Sequence, residues 1–136
     1  MYEYFDHTAD VGIRVRAADL PELFADAGRA LFGLIVENLD DVRDVEEIDV
    51  RVAGAVGDDL LFDWLSELLQ VFEMTGLVLC RFEVEMAGEE ITARAWGEQL
   101  NVERHRLGHE VKAVTYHLLK LEQTADGWVG EAVVDL

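Results

Sequence analysis

DDLLFDWLSELLQVF, residues 58–72, is the most regular segment of the chain and decides the kind of fold to expect. Its apolar residues recur at steps of three and four, which is the pattern of a helix with one buried face: Leu61, Trp64, Leu65, Leu68, Leu69 and Phe72. Asp58 and Asp59 offer N-caps at its start, and Gly76 is a typical stop signal after its end. The segment therefore predicts an amphipathic helix that packs against a core.

A second helix is predicted upstream of this one. Asp19-Leu20-Pro21-Glu22 has the pattern of a capping box, with the proline in the first helical turn, where its missing N–H costs nothing. Apolar residues at helical spacing continue to about Val36. The stretch ENLDDVRDVEE at 37–47 has no clear period and predicts a solvated acidic loop.

Alternating apolar residues predict strands around both helices. These strands lie at 2–5, 11–17, 48–52, 78–86, 91–95, 111–121 and 128–136. Residues 78–97 and 111–136 are interpreted as hairpins, and Asp126-Gly127 is a strong turn signal in the second. The order predicts an α+β fold in which two amphipathic helices pack on a largely antiparallel sheet, as a single domain over residues 1–136.

Composition excludes several classes of protein. Against 29 Asp and Glu stand only 11 Lys and Arg, and the formal net charge of −18 argues against direct nucleic-acid binding. Part of this charge is also typical of a salt-adapted or high-GC host. There is no long apolar run to cross a membrane and no secretory start, so we expect a cytoplasmic protein. The lone Cys80 falls on the apolar side of its predicted strand and is interpreted as a core thiol.

The familiar nucleotide and zinc signatures are missing. No GxxxxGK or GxGxxG occurs, and one cysteine gives no support to structural zinc. His105 and His109 have i, i+4 spacing, but Gly108 between them argues against a helix. We interpret the histidines as surface groups or hydrogen-bonded interior groups.

Three polar clusters remain as candidates for function. Residues 6–10, DHTAD, crowd polar groups ahead of a strand, although side-chain hydrogen bonds within a bend would also explain them. The charged stretch 96–106 joins two predicted strands and is otherwise a solvated loop. Asp135 lies beside the terminal carboxylate of this sequence, where a hard cation or a neighbouring arginine would relieve the repulsion.

Five segments, taken in order, resemble the archease family. They are DHTADVGI at 6–13, LLFDWLSELL at 60–69, GEQLNVERH at 97–105, EVKAVTYH at 110–117 and GWVGEAVVDL at 127–136. The resemblance extends from Glu3 to Leu136, and the pairing of the first and fourth motifs is specific. It implies an activator, or chaperone, of the RtcB-type tRNA-splicing RNA ligase, which promotes the ligase's GTP- and manganese-dependent guanylylation and its repeated turnover. By this resemblance the chain is not an enzyme, because the chemistry belongs to the ligase.

The resemblance also implies a metal site on Asp10, Asp135 and Leu136, the last through a main-chain or terminal oxygen. Oxygen ligands suit calcium, magnesium or manganese. Two departures from the family pattern are Leu136, where isoleucine is more common, and Gly108-His109 before the fourth motif. The alternative is a small metal-dependent hydrolase that uses Asp10 and Asp135 as ligands, with His7 or His105 as general base.

Overall fold

The computed structural model describes residues 1–7 and 9–136, and for His7 its backbone alone. Two helices and eight strands are found there, together with a short 3-10 helix at Leu39–Asp41. In chain order they are β1 (Tyr2–His7), β2 (Asp10–Ala17), α1 (Leu20–Ile35), β3 (Glu46–Ala53), α2 (Asp58–Thr75), β4 (Leu77–Ala87), β5 (Glu90–Gln99), β6 (Ala113–Val114), β7 (Lys120–Thr124) and β8 (Gly127–Asp135). These elements confirm the predicted α+β class.

The strands divide into two antiparallel sheets, where the sequence suggested one. In the larger sheet β8 is central: β2 and then β1 lie on one side, and both β6 and β7 pair with the other side. The smaller sheet has the order β3-β5-β4. Among the described strands, no pairing connects the two sheets.

The core joins both helices to the sheets. Trp64 of α2 is fully buried, and its indole N–H donates to the carbonyl of Phe24 in α1 at 2.9 Å. Its ring also meets Phe24 and Phe82 of β4 edge-on, with centroids 6.1 Å apart in both pairs. Leu65 beside it is 1% exposed. The apolar stripe read from residues 58–72 is therefore the centre of the molecule.

Two of the three predicted helix signals are confirmed. Asp19 caps α1 by accepting a hydrogen bond from the Glu22 N–H at 2.9 Å, and Gly76 ends α2 with a φ of +75°. The predicted caps of α2 are wrong, because Gly57 occupies the N-cap position without a side-chain hydrogen bond. Asp58 instead accepts from the Leu121 N–H at 2.7 Å and so connects the start of α2 to β7.

A bulge interrupts β4 at Cys80. The register with β5 shifts between Leu79 and Arg81, opposite Gly97. A Cβ on Gly97 would lie 1.8 Å from the Val78 carbonyl oxygen, so only glycine fits this close approach. Cys80 is half-buried against the core rather than fully inside it, and burial raises the pKa of its thiol, as the charge of Asp44 also does.

Two predicted boundaries need correction. The segment 111–121 is not one continuous strand, because only β6 and β7 pair with β8 there. The Thr115 hydroxyl donates to the Val133 carbonyl at 2.9 Å and accepts from the His117 N–H at 3.3 Å, which turns the backbone away from β8. The predicted acidic loop at 37–47 also ends early, because β3 begins at Glu46.

Neither helix of the described residues combines the length and apolar character needed to cross a lipid bilayer.

Candidate functional site

The fold brings together two acidic residues that lie far apart in the sequence. Asp10 begins β2 and Asp135 ends β8, and the register places them directly opposite each other. Side chains of directly opposed residues in an antiparallel pair share a face, with Cα atoms about 4.5–5.5 Å apart. Asp10 is half-buried and Asp135 is exposed. We refer to these two residues as the aspartate pair.

The aspartate pair belongs to a row that crosses four strands. The register places the His7 backbone opposite Asp10, and Ala113 of β6 opposite Asp135. The Lys112 N–H also donates to the Asp135 carbonyl at 2.8 Å. The predicted DHTAD bend is thus the hairpin between β1 and β2; Thr8 and the His7 side chain lie outside the described residues.

Within the described part of the chain, neither carboxylate of the aspartate pair forms an ion pair. Two arginines lie on the same strand pair: Arg14 contacts Glu131 at 2.7 Å and Glu3 at 3.2 Å instead, and Arg16 forms no ion pair with either aspartate among the described residues. Like charges directly opposed on two strands repel and destabilise the pairing. The neighbouring arginine that would relieve the charge of Asp135 is thus not found in an ion pair with it among the described residues, and the cation stays a prediction.

The donor set fits a hard cation held at an open site. Across residues 1–7 and 9–136, as far as they are described, no three His, Cys, Asp or Glu side chains converge on a common point. Two carboxylates supply only part of the six to eight oxygens that calcium takes, or the six of magnesium. Main-chain oxygens and water must complete such a shell. The Leu136 side chain packs partly buried against the core, which holds its main chain beside Asp135.

A second polar cluster surrounds Glu98 in the smaller sheet, within the stretch 96–106 that the sequence left as a possible solvated loop. Glu98 is only 8% exposed. Its Oε2 accepts from the Arg43 N–H at 2.5 Å, and its Oε1 accepts from the Arg104 guanidinium. Burial by itself raises the pKa of Glu98, but the hydrogen bonds from Arg43 and His105 and the charge of Arg104 outweigh it. The pKa of Glu98 therefore lies below its usual range.

His105 is an interior histidine of this cluster, as one of the two interpretations expected. It is 2% exposed, and its Nδ1 accepts from the Asn101 N–H at 3.0 Å. The neutral ring therefore carries its proton on Nε2, which lies 3.4 Å from Glu98 Oε2. A ring held in this way is poorly suited to act as general base for the aspartate pair, which belongs to the other sheet.

The Glu98 cluster is part of a structural joint between two loops. Asn38 donates to the Arg104 carbonyl at 2.9 Å and accepts from the Arg106 N–H at 2.7 Å. These bonds hold the chain after β5 against the end of α1. No periodic pattern predicts this joint, because it depends on contacts between residues more than 50 positions apart.

Known proteins of one family are similar to this chain over nearly its whole length. The sequence model of the Archease protein family (MTH1598/TM1083) matches residues 2–136. Protein archease of Methanosarcina acetivorans is 41% identical over 140 residues, an alignment that covers 99% of this chain and 95% of that protein. Protein archease of Pyrococcus abyssi is 40% identical over 140 residues, and the alignment covers 99% of this chain and 98% of that protein.

Two solved structures share the fold. The solution structure of Methanobacterium thermoautotrophicum protein 1598 superposes with a TM-score of 0.88 at 31% identity, covering 99% of this chain and 98% of that one. The crystal structure of an archease from Thermotoga maritima, described as a possible chaperone, gives a TM-score of 0.70 at 24% identity. It covers 100% of this chain and 98% of that one.

Proposed function

The chain belongs to the archease family, and we propose that it is a non-enzymatic activator of an RtcB-type tRNA-splicing RNA ligase. Its working part in this proposal is the aspartate pair, which holds a divalent cation. The observation that carries the proposal is that these two carboxylates oppose each other across β2 and β8, with no ion-pair partner among the described residues.

Asp10 and Asp135 would hold the cation through their carboxylates, and the main-chain oxygen of Leu136 and water would complete its shell. Calcium, magnesium and manganese all accept such ligands. When bound, the ion would cancel the repulsion between the two carboxylates and offer a Lewis-acidic centre to the ligase. An open site with few protein ligands suits a cofactor protein whose partner provides the remaining groups.

The overall charge supports a basic partner. A chain with a formal net charge of −18 is repelled by free RNA, but it is attracted to the cationic surface of an RNA-binding enzyme. The protein would then reach RNA only through the ligase, and its association rate with the ligase would fall as salt screens the charges.

A metal-dependent hydrolase is the second candidate, and one observation keeps it open. The register places His7 directly opposite Asp10, so a histidine is near the aspartate pair in the chain trace. In that function the protein would cleave phosphoesters without a partner, whereas the activator has no such activity.

The test measures both functions with the same variants. Asp10→Asn and Asp135→Asn are expected to lower stimulation of ligase guanylylation at least tenfold, in an assay with GTP, manganese and RNA. Asp49→Asn makes the same charge change at an exposed position of the smaller sheet, and full stimulation is expected from it. Normal stimulation by both aspartate-pair variants would overturn the proposal, and phosphoester cleavage by the protein alone would favour the hydrolase.

A further inference from the structure

A groove runs along the surface between α2 and the segment 109–114, which ends in β6. It consists of two adjoining hollows of about 370 and 360 Å³, and both are lined by Glu73 and Lys112. Apolar side chains form much of its floor: Ile35, Phe62, Leu69, Phe72, Val111 and Val114. We call the two hollows together the α2 groove.

One wall of the α2 groove is hydrogen-bonded to the strand that ends at Asp135. Lys112, which lines both hollows, donates its N–H to the Asp135 carbonyl at 2.8 Å. The next two residues of the wall are paired with β8: Ala113 lies opposite Asp135, and Val114 lies opposite Val134. Side chains alternate between the two faces of the sheet, and Val114 and Val134 belong to the core face, so the groove and the aspartate pair adjoin through the main chain of this wall.

Apolar side chains remain exposed beside the groove. Tyr116 is 67% exposed although its ring stacks on Phe62, with centroids 4.0 Å apart and planes 11° from parallel. Leu118 is 52% exposed and has a φ of +53°, a left-handed conformation that is unfavourable for leucine.

The charges around the groove favour a cationic occupant. Glu73 and Glu110 lie in its walls, and Asp59 and Asp63 flank it on the same helix. Within the described residues none of these four acids belongs to an ion pair. Among the residues that line the two hollows, Lys112 is the one with a positively charged side chain. The surplus of negative charge, set among apolar side chains, complements a segment that is both basic and partly apolar.

We propose that the α2 groove is the docking site for a basic, partly apolar segment of the partner protein. For the identity of that partner the inference rests on the proposed function, and it deepens that function by naming the surface that holds the ligase. Binding in the groove and cation binding at the aspartate pair are then separate steps, so variants can remove one and leave the other.

The first experiment uses the chain without any ligase. The peptide Lys-Leu-Arg-Lys-Leu-Arg is titrated into the labelled protein and followed by the backbone amide signals, with Gln-Leu-Gln-Gln-Leu-Gln as the neutral control. We expect saturable shifts confined to residues 62–73 and 109–118, weaker at high salt and absent with the control. Shifts spread over the acidic surface, or centred on the smaller sheet, would overturn the proposal.

The second experiment separates docking from activation. Glu73→Lys with Glu110→Lys is expected to weaken ligase binding at least tenfold, and Tyr116→Ala is expected to weaken it less. Asp49→Lys with Glu85→Lys makes the same charge change on the smaller sheet and serves as the matched control. All these side chains are exposed, and circular dichroism checks that each variant folds.

The two proposals fail in different ways in this experiment. If the wild-type chain stimulates the ligase and the groove variants bind it as tightly, the α2 groove is not the docking site and the proposed function stands. If the wild-type chain neither binds nor stimulates the ligase while the peptide still saturates the groove, the proposed function falls and the docking site remains. We expect Asp135→Asn to keep full ligase binding but to lose stimulation.

Discussion

The outer face of the smaller sheet and the aspartate-pair end of the larger sheet both carry charge, but they arrange it in opposite ways. On the smaller sheet Arg81 lies 3.2 Å from Asp44 and 3.4 Å from Glu83, and its guanidinium is 3.8 Å from the Trp96 ring centroid. In the larger sheet Asp10 and Asp135 oppose each other without an ion-pair partner among the described residues.

This difference separates charges that are paired within the fold from charges that have no ion-pair partner among the described residues. Within each ion pair of the smaller sheet the two opposite charges compensate each other. Each exposed pair contributes at most about 1 kcal/mol to the free energy of unfolding. A hollow of about 540 Å³ on that face is lined by charges of both signs, among them Arg94 and Glu83 at 3.4 Å, together with the acids Asp49 and Glu85. Opposed carboxylates cost stability, so we infer that they are kept for a ligand outside the chain.

The largest expected effect tests whether both regions depend on one core. Leu65→Ala leaves a cavity under α2, which packs against both sheets, and is expected to lower the free energy of unfolding by about 2–5 kcal/mol. Urea denaturation followed by circular dichroism measures the loss. A change below about 1 kcal/mol would contradict the placement of α2 at the centre of the molecule.

A smaller effect is expected where charge is both paired and buried. Glu98→Gln weakens the bonds from Arg43, Arg104 and His105 and should cost about 1–3 kcal/mol at pH 7. Because folding lowers the pKa of Glu98, its contribution is full above the unfolded value of about 4.3 and is lost as the pH falls through the folded value.

The measurement is urea denaturation of wild type and Glu98→Gln at neutral pH and at about pH 3. The difference between the two proteins should shrink at the acidic pH. A difference that stays constant over this range would show that the Glu98 charge does not stabilise the fold.

The next effect has the opposite sign and tests the unpaired charge. Without divalent cations, Asp135→Asn removes the repulsion across β2 and β8 and should raise the free energy of unfolding by about 0.2–1 kcal/mol. With calcium present the order should reverse, because the wild type gains binding energy that the variant lacks. Thermal unfolding with calcium or with a chelator checks both signs, and a variant that is less stable in both conditions would contradict the account.

The smallest effect is expected on the smaller sheet. Arg94→Gln breaks contacts of 3.4 Å to Glu83 and 4.0 Å to Glu47, but these groups are about half exposed. The loss should stay below about 1 kcal/mol, with no change in ligase stimulation. A loss of stimulation would move the functional surface to this sheet and remove the contrast between the two regions.

Local pattern was sufficient for most elements and insufficient for the site. The periodicity of residues 58–72 predicted α2, and the capping box at Asp19 predicted the start of α1, because both depend on neighbours within a few positions. The aspartate pair depends on the register of β2 and β8, which lie more than 100 residues apart. There the sequence offered a charge argument for Asp135 and a family resemblance for Asp10, but not their juxtaposition.

The wrong predictions share a cause, which is competition from contacts distant in sequence. Asp58 was expected to cap α2, but it accepts from the Leu121 N–H instead. The break in the predicted strand 111–121 is the exception, because it is local: the Thr115 hydroxyl accepts from the His117 N–H and Leu118 has a φ of +53°. The local pattern places Glu98 in a charged loop, because it contains no sign of the hydrogen bond that the Arg43 N–H donates to Glu98.

Cation binding at the aspartate pair is measured by manganese titration of the protein alone, followed by paramagnetic broadening of backbone amide signals. We expect broadening at low manganese only at residues 9–11, 112–113 and 134–136, and we expect it to disappear in the Asp10→Asn, Asp135→Asn double variant. Equal broadening around Asp49 and the other exposed acids, or an unchanged pattern in the double variant, would contradict this expectation.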